Sequence, residues 1–157
     1  MPKIRTHAIR ALEEQGVAYK LLLHDHRAMN VEEAAAERRV YIRQVVKTLQ
    51  LRGPDRKHLI ARVRGDRRLS LKKLARVASV KRLEMAPAAD VPRIPGYQVG
   101  AVAPVGLRRS DVPIYVDETI LKEPQVSISA GRHDAGLELA ITDLIHAVKG
   151  QVADITE

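Results

Sequence analysis

Three strand-like runs, at 97–102, 114–116 and 126–129, follow one another with no helical segment between them long enough for a parallel crossover. A parallel pair needs a connection of about a dozen residues or more, usually a helix, whereas antiparallel neighbours need only a turn. The chain is therefore steered toward hairpin-connected strands. Upstream, period-two runs at 45–51 and 59–63 flank the turn sequence Arg52-Gly53-Pro54-Asp55 and are expected to pair as a hairpin, with a further short strand at 17–23. Helical spacing recurs at both ends and in the middle. It is carried by Ile4, Ala8, Ile9 and Leu12 before Gly16, and by an alanine- and glutamate-rich stretch at 31–39 behind the capping pair Asn30 and Glu33. It returns in Leu71, Leu74, Ala75 and Ala78 behind Ser70, and in Leu144, Ile145 and Val148 between Thr142 or Asp143 and Gly150. Helices around turn-connected strands make an α+β domain with a curved or barrel-like sheet, spanning 1–157 without repeat, linker or low-complexity segment.

With 157 residues, 45% of them hydrophobic, the chain has the apolar material for one buried core. No stretch approaches the roughly 20 apolar residues of a membrane span, and Met1-Pro2-Lys3-Ile4-Arg5 lacks the apolar run of a signal peptide. A cytoplasmic location without a membrane partner is expected. The absence of cysteine removes disulfides, thiolate nucleophiles and cysteine-ligated metal centres. Four tyrosines are the only aromatics, so stacking platforms for single-stranded nucleic acid are nearly unavailable and any nucleic-acid contact has to rely on charge. That charge is unevenly placed. Residues 38–82 carry sixteen Lys and Arg against Asp55 and Asp66, whereas 83–157 carry six against eleven acids. A segment of net +14 in a chain of net +8 points to a phosphate-rich partner on one side, or is a solvated basic surface. Arg62 and Arg64 on one strand face, with Lys72 and Lys73 on the outer face of the helix behind Ser70, are the expected phosphate contacts.

Lys47 is the most anomalous position. Strand alternation puts it on the same face as Val45, Leu49 and Leu51, which is the apolar face. An ammonium aimed at a core is costly unless it meets an anion in a cleft, so Lys47 is either a pocket lysine or one that snorkels to solvent at a sheet edge. Glycines at 96, 100 and 106 punctuate the next strand-like run, marking either a backbone approach that offers N–H groups to an oxyanion or a bent strand at a sheet corner. Ser129-Ala130-Gly131 leaves a strand as another cluster of small residues, a second cleft wall or a simple turn. His24 and His26 share a face, but no third ligand stands at metal-binding spacing, and no metal or cofactor is expected. Neither a nucleophile elbow nor a phosphate-binding glycine pattern is present.

The ordered set Val46-Lys47-Thr48-Leu49, Leu71-Lys72-Lys73-Leu74-Ala75, Glu84-Met85-Ala86, Gly96-Tyr97-x-x-Gly100-x-x-x-Pro104-x-Gly106 and Ser129-Ala130-Gly131 before Leu137-Glu138-Leu139 spans nearly the whole chain. In it the chain resembles the YbaK/ProX family of trans-editing aminoacyl-tRNA deacylases, relatives of the editing domain of bacterial prolyl-tRNA synthetase. The resemblance implies a mixed, mostly antiparallel barrel-like sheet flanked by helices. It implies hydrolysis of misacylated tRNA, such as tRNA(Pro) carrying a small non-cognate amino acid (alanine, cysteine or serine). The implied partners are the acylated tRNA 3′ end and an aminoacyl-tRNA synthetase such as prolyl-tRNA synthetase. Lys47 then matches the pocket lysine that holds the terminal adenosine, and Gly100 and Gly131 match the glycines of the substrate loops. His24, His26, Thr48, Ala101, Ala103, Pro104, Ser129 and Asp143 fall at positions implied to border the substrate. Ala103 stands where relatives tend to have serine, and His24 where they often have tyrosine, so the amino acid specificity is open to change. The alternative is a basic RNA-binding module without catalytic activity; a third reading, a small-molecule hydrolase or binding protein, leaves the basic segment unexplained. An ester is already activated, so orientation, oxyanion donors and help from the substrate's own 2′-hydroxyl are expected to suffice for catalysis.

Overall fold

The computed structural model describes residues 4–92, 101–106 and 111–157. Local rules account for the helices. α1 (His7–Glu14) opens where Thr6 Oγ1 accepts the Ile9 N–H at 3.1 Å, and the chain turns away at Gly16, whose φ is +68°. α2 (Val31–Arg38) is capped by Asn30, whose side chain accepts the Glu33 N–H at 2.8 Å. Glu33 Oε2 reaches back to accept the N–H of Met29, one residue before the cap. α3 (Leu71–Val77) opens on Ser70 as expected. α4 (Ile141–Ala147) begins slightly before Thr142, directly on the end of a strand. Asn30→Ala is expected to cost about 1 kcal/mol of stability through the lost cap. Thermal melting checks this, and an unchanged midpoint would mean that Glu33 alone holds the helix start.

Among the described residues eight strands follow one another: β1 (Lys20–Leu23), β2 (Val46–Arg52), β3 (His58–Arg64), β4 (Glu84–Met85), β5 (Ile114–Asp117), β6 (Gln125–Arg132), β7 (Ala135–Ala140) and β8 (Gln151–Ala153). They form a three-stranded sheet in the order β1-β7-β6 and a five-stranded sheet in the order β4-β2-β3-β5-β8. The expected β2–β3 hairpin runs antiparallel from Val46 opposite Arg64 to Arg52 opposite His58. β6 and β7 make a second hairpin with a bulge between Ser129 and Arg132. The α+β class and the mixed, mostly antiparallel pairing agree with expectation, but the sheets stay open and do not close into a barrel. β3–β5 and β5–β8 are parallel. Neither pair uses a single crossover helix: the chain returns through α3 and β4 in one case, and through β6, β7 and α4 in the other. β7 and β8 were not anticipated from the sequence. Of the strand expected at 97–102, residues 97–100 lie outside the described residues, and 101–102 are not in a strand.

Two apolar clusters fix the layers. The larger one packs Ala8, Ile9 and Leu12 of α1 and Leu144 of α4 against Val126, Ile128, Leu137 and Leu139 of the three-stranded sheet. The second buries Leu51, Leu59, Ala61 and Val63 of the β2–β3 hairpin under Leu74 of α3 and Ile155. Asp117, fully buried, accepts the N–H groups of Thr119 and Ile155 at 3.2 and 3.0 Å and the Thr119 hydroxyl, tying β5 to the segment beyond β8. Gly65 follows β3 where a Cβ would collide with the Ile42 and Val45 carbonyls, so the absence of a side chain allows the chain to cross tightly beside β2. No helix among the described residues is long and apolar enough to cross a membrane.

Candidate active site

A cavity of about 490 Å³ opens between α2, β2, the end of β6 and the segment after β4. That volume suits a nucleoside or a small ester. Residues 45–50 line it one after another. Side chains of a strand alternate between faces, so consecutive lining means that β2 presents its edge to the cavity. β4 pairs only with Leu51 and Arg52, and the Ala86 N–H caps the Gln50 carbonyl, so β4 leaves the edge unpaired upstream as far as Val45, which bridges to Ser127 of β6.

Lys47 lies on this wall. Opposite Val63, in phase with Leu49 and Leu51, it occupies the end of the face that α3 covers, as the strand alternation requires. It is half-buried, and its Nζ donates to the Arg67 carbonyl at 2.7 Å. Burial lowers its pKa from the ordinary lysine value, and Glu32 and Asp66 partly restore it. Thr48 also lines the cavity, with a buried hydroxyl that has no hydrogen-bond partner. From β6 comes Ser129, whose Oγ accepts the N–H of Gly131 at 3.0 Å; Gly131 has φ +93°, the left-handed backbone that lets the strand bulge here. The structure thus brings Lys47, Thr48 and Ser129 to one cavity, with Gly131 bound to the last of them.

Other expected site residues fall elsewhere. Gly100 lies outside the described residues. Ala101 and Ala103 are fully buried, the latter within the larger core cluster, and neither they nor Pro104 border the cavity. From this segment Val102 does so instead. His24 Nδ1 donates to the His26 carbonyl at 2.6 Å, His26 pairs with Glu37 on the surface, and neither histidine reaches the cavity. No metal-binding group of three His, Asp or Glu occurs among the described residues. Asp143 sits in the first turn of α4, away from the cavity.

The expected tRNA contacts need a correction as well. Arg62 is 1% exposed and donates from Nη2 to the Pro104 carbonyl, because the strand face it shares with Thr48 is covered instead of solvated. Burial brings its pKa down to about 9. Arg64 is held by Asp66 in a two-pronged ion pair and is largely shielded. Lys73 is bound to Asp154 and the Thr156 carbonyl, whereas Lys72 is free at the surface. A cavity residue that sequence reasoning missed is Arg38, at the end of α2. Its position among basic neighbours made it read as one more surface charge.

The model of the aminoacyl-tRNA editing domain family matches residues 25–147. Over 97% of this chain and 93% of the relative, the sequence is 30% identical to a protein of Enterococcus faecalis described as "Putative Cys-tRNA(Pro)/Cys-tRNA(Cys) deacylase EbsC". It is also 37% identical, over 57% of this chain, to the proline–tRNA ligase of Caldicellulosiruptor saccharolyticus, of which it spans only 15%. Among solved structures, one described as "a putative trans-editing enzyme for prolyl tRNA synthetase" superposes with a TM-score of 0.86 at 29% identity, covering 99% of both chains.

Proposed function

Because the chain belongs to the aminoacyl-tRNA editing domain family and is by class an aminoacyl-tRNA deacylase, we propose that it removes a small non-cognate amino acid, such as alanine, cysteine or serine, from tRNA(Pro) or a tRNA of similar acceptor end. The observation that carries the reading is a half-buried lysine beside an unpaired stretch of strand edge, in a cavity that Ser129, at the start of the Ser129–Gly131 turn, also lines. Lys47 holds the phosphate of the terminal adenosine. Backbone N–H groups of the two glycine loops, at Gly100 and Gly131, stabilise the oxyanion as water adds to the ester carbon, the Gly131 N–H exchanging its bond to Ser129 Oγ for the substrate oxygen. The acyl–oxygen bond then breaks, and the ribose 3′ oxygen leaves with a proton.

No protein nucleophile is needed. The chain has no cysteine, and Ser129 accepts a backbone N–H without an imidazole or carboxylate bonded to it among the described residues. The 2′-hydroxyl next to the scissile ester orients the attacking water. Docking of the tRNA body falls to the exposed cations Lys72, Arg76, Lys81 and Arg82 on and after α3. A synthetase such as prolyl-tRNA synthetase is the proposed partner, supported by the likeness to part of the proline–tRNA ligases.

Timed deacylation of a panel of aminoacyl-tRNAs tests the function. Release of alanine, cysteine or serine from tRNA(Pro) far above the spontaneous rate is expected, and cleavage of none would leave an RNA-binding module. With the same amino acid on tRNA ending in 2′-deoxyadenosine, single-turnover rates should fall by several powers of ten at similar affinity. Unchanged rates would return attention to Ser129.

A further inference from the structure

α2 turns Val31, Ala34 and Arg38, spaced i, i+3 and i+7, toward the cavity. The first two are apolar and the third is a guanidinium that is only 9% exposed. Arg38 crosses from the helix end to the three-stranded sheet, where its Nη1 donates to Ser127 Oγ at 3.3 Å. The guanidinium packs closely on β7 at Gly136: a Cβ there would stand 2.7 Å from Arg38 Cζ and collide with Nε. Nε is buried without a partner, and no carboxylate pairs with Arg38 among the described residues. Burial pulls its pKa down to about 10, so it is still a cation at neutral pH.

The other basic side chains of the cavity are accounted for. Arg132 pairs with Asp134 at 2.7 Å, and Lys47 donates to a carbonyl with Glu32 and Asp66 near enough to stabilise its charge. Among the described residues of the cavity, Arg38 alone is a desolvated cation with one weak neutral partner, an arrangement that favours an incoming anion. Ser127 and Ser129 are two residues apart on β6 and so share a face about 7 Å apart. The guanidinium therefore lies within one side chain's length of the wall assigned to the ester.

We propose that Arg38 reads the side chain of the ester-linked amino acid, and that the acyl group this cavity selects ends in an oxygen acceptor, a carboxylate in preference to a hydroxyl. The inference rests on the deacylase reading and goes beyond the small acyl groups named there: aspartyl and seryl esters are taken ahead of the alanyl ester. An Arg contributes paired donors in a rigid fork, so the selectivity depends on the guanidinium and not on charge alone.

One tRNA carrying aspartate, serine or alanine in turn provides the test, with the wild type, Arg38→Met and Arg38→Lys compared by kcat/KM and each variant checked by thermal melting. The wild type should prefer the aspartyl over the alanyl ester at least tenfold. Arg38→Met should erase that preference by lowering aspartyl cleavage far more than alanyl cleavage, while Arg38→Lys should keep part of it. An equal loss on all three esters would make Arg38 structural and overturn the proposal. So would a uniform rise in KM with a shallower salt dependence, which would give Arg38 to a tRNA phosphate. Binding of the uncleavable amides 3′-aspartylamino- and 3′-alanylamino-3′-deoxyadenosine separates the two readings. An Arg38-dependent preference for the aspartyl amide without ester cleavage would spare Arg38 and sink the deacylase, whereas equal binding would overturn the role of Arg38 whatever the activity.

Discussion

Lys47→Ala is expected to lower single-turnover deacylation by roughly a hundredfold or more, the loss typical of removing one preorganised donor from a site of developing charge. The fold should survive. Lys47 is half-buried, its one hydrogen bond goes to the Arg67 carbonyl, and no carboxylate is left buried and unpaired when it is removed. Lys47→Arg is not expected to rescue the activity, because a planar fork on a longer stem does not place its charge where the ammonium does. Burial has lowered the pKa of Lys47, so the folded protein binds this proton less tightly than the unfolded chain. Stability therefore gains as pH rises from the folded pKa toward the ordinary lysine value, while affinity for the phosphate of the substrate falls over the same interval. Both slopes should flatten in the alanine variant. Full activity per folded molecule in Lys47→Ala would show the lysine to be structural.

Arg62→Met is expected to separate stability from activity. The guanidinium is fully buried and, among the described residues, has no carboxylate partner and leaves Nε and Nη1 unbonded. Replacing such an ion by an apolar side chain of similar length is often neutral, or stabilising by about 1–4 kcal/mol. Against this stands the Pro104 carbonyl, which loses its donor at about 1–3 kcal/mol. The melting temperature should move by only a few degrees. Activity should fall tenfold or more, because Arg62 anchors β3 to the 101–106 segment, whose Val102 borders the cavity and whose Ala103 and Val105 insert into the core. Calorimetry and kcat/KM on one preparation check both halves. A large drop in melting temperature with unchanged kcat/KM would mean that Arg62 supports the core and not the site.

The distance over which each feature is decided explains which parts of this molecule were legible. Asn30 with Glu33 and Ser70 with Lys73 are contacts three residues apart, so the starts of α2 and α3 could be read directly. The β2–β3 hairpin was legible for the same reason: two alternating runs flank a turn-forming tetrapeptide. β7 opens on Ala135 and Gly136 and ends on Ala140, residues of low strand preference, and it is a strand because β1 and β6 pair with it on both sides. β8 likewise exists through its parallel pairing with β5, a partner more than thirty residues upstream.

Lys47 and Arg62 show where sequence information ends. A period of two determines which residues share a face, and on that ground alone Lys47 belongs with Leu49 and Leu51, and Arg62 with the face opposite Leu59, Ala61 and Val63. The same period is silent on what covers each face. The polar side of β3 was expected in solvent, yet the 101–106 segment lies against it and makes Arg62 a buried anchor instead of a phosphate contact. Arg38 is the last residue of α2 and its exposed neighbour Arg39 is the left-handed cap just beyond it, and the sheet packed against the helix end turns one of two adjacent arginines into a cavity cation. The sequence by itself determined the class of fold, the hairpin, the helix starts and the inward phase of Lys47, because these follow from contacts within a few residues. Tertiary structure alone decided which charges are buried, since burial depends on segments brought together from distant parts of the chain.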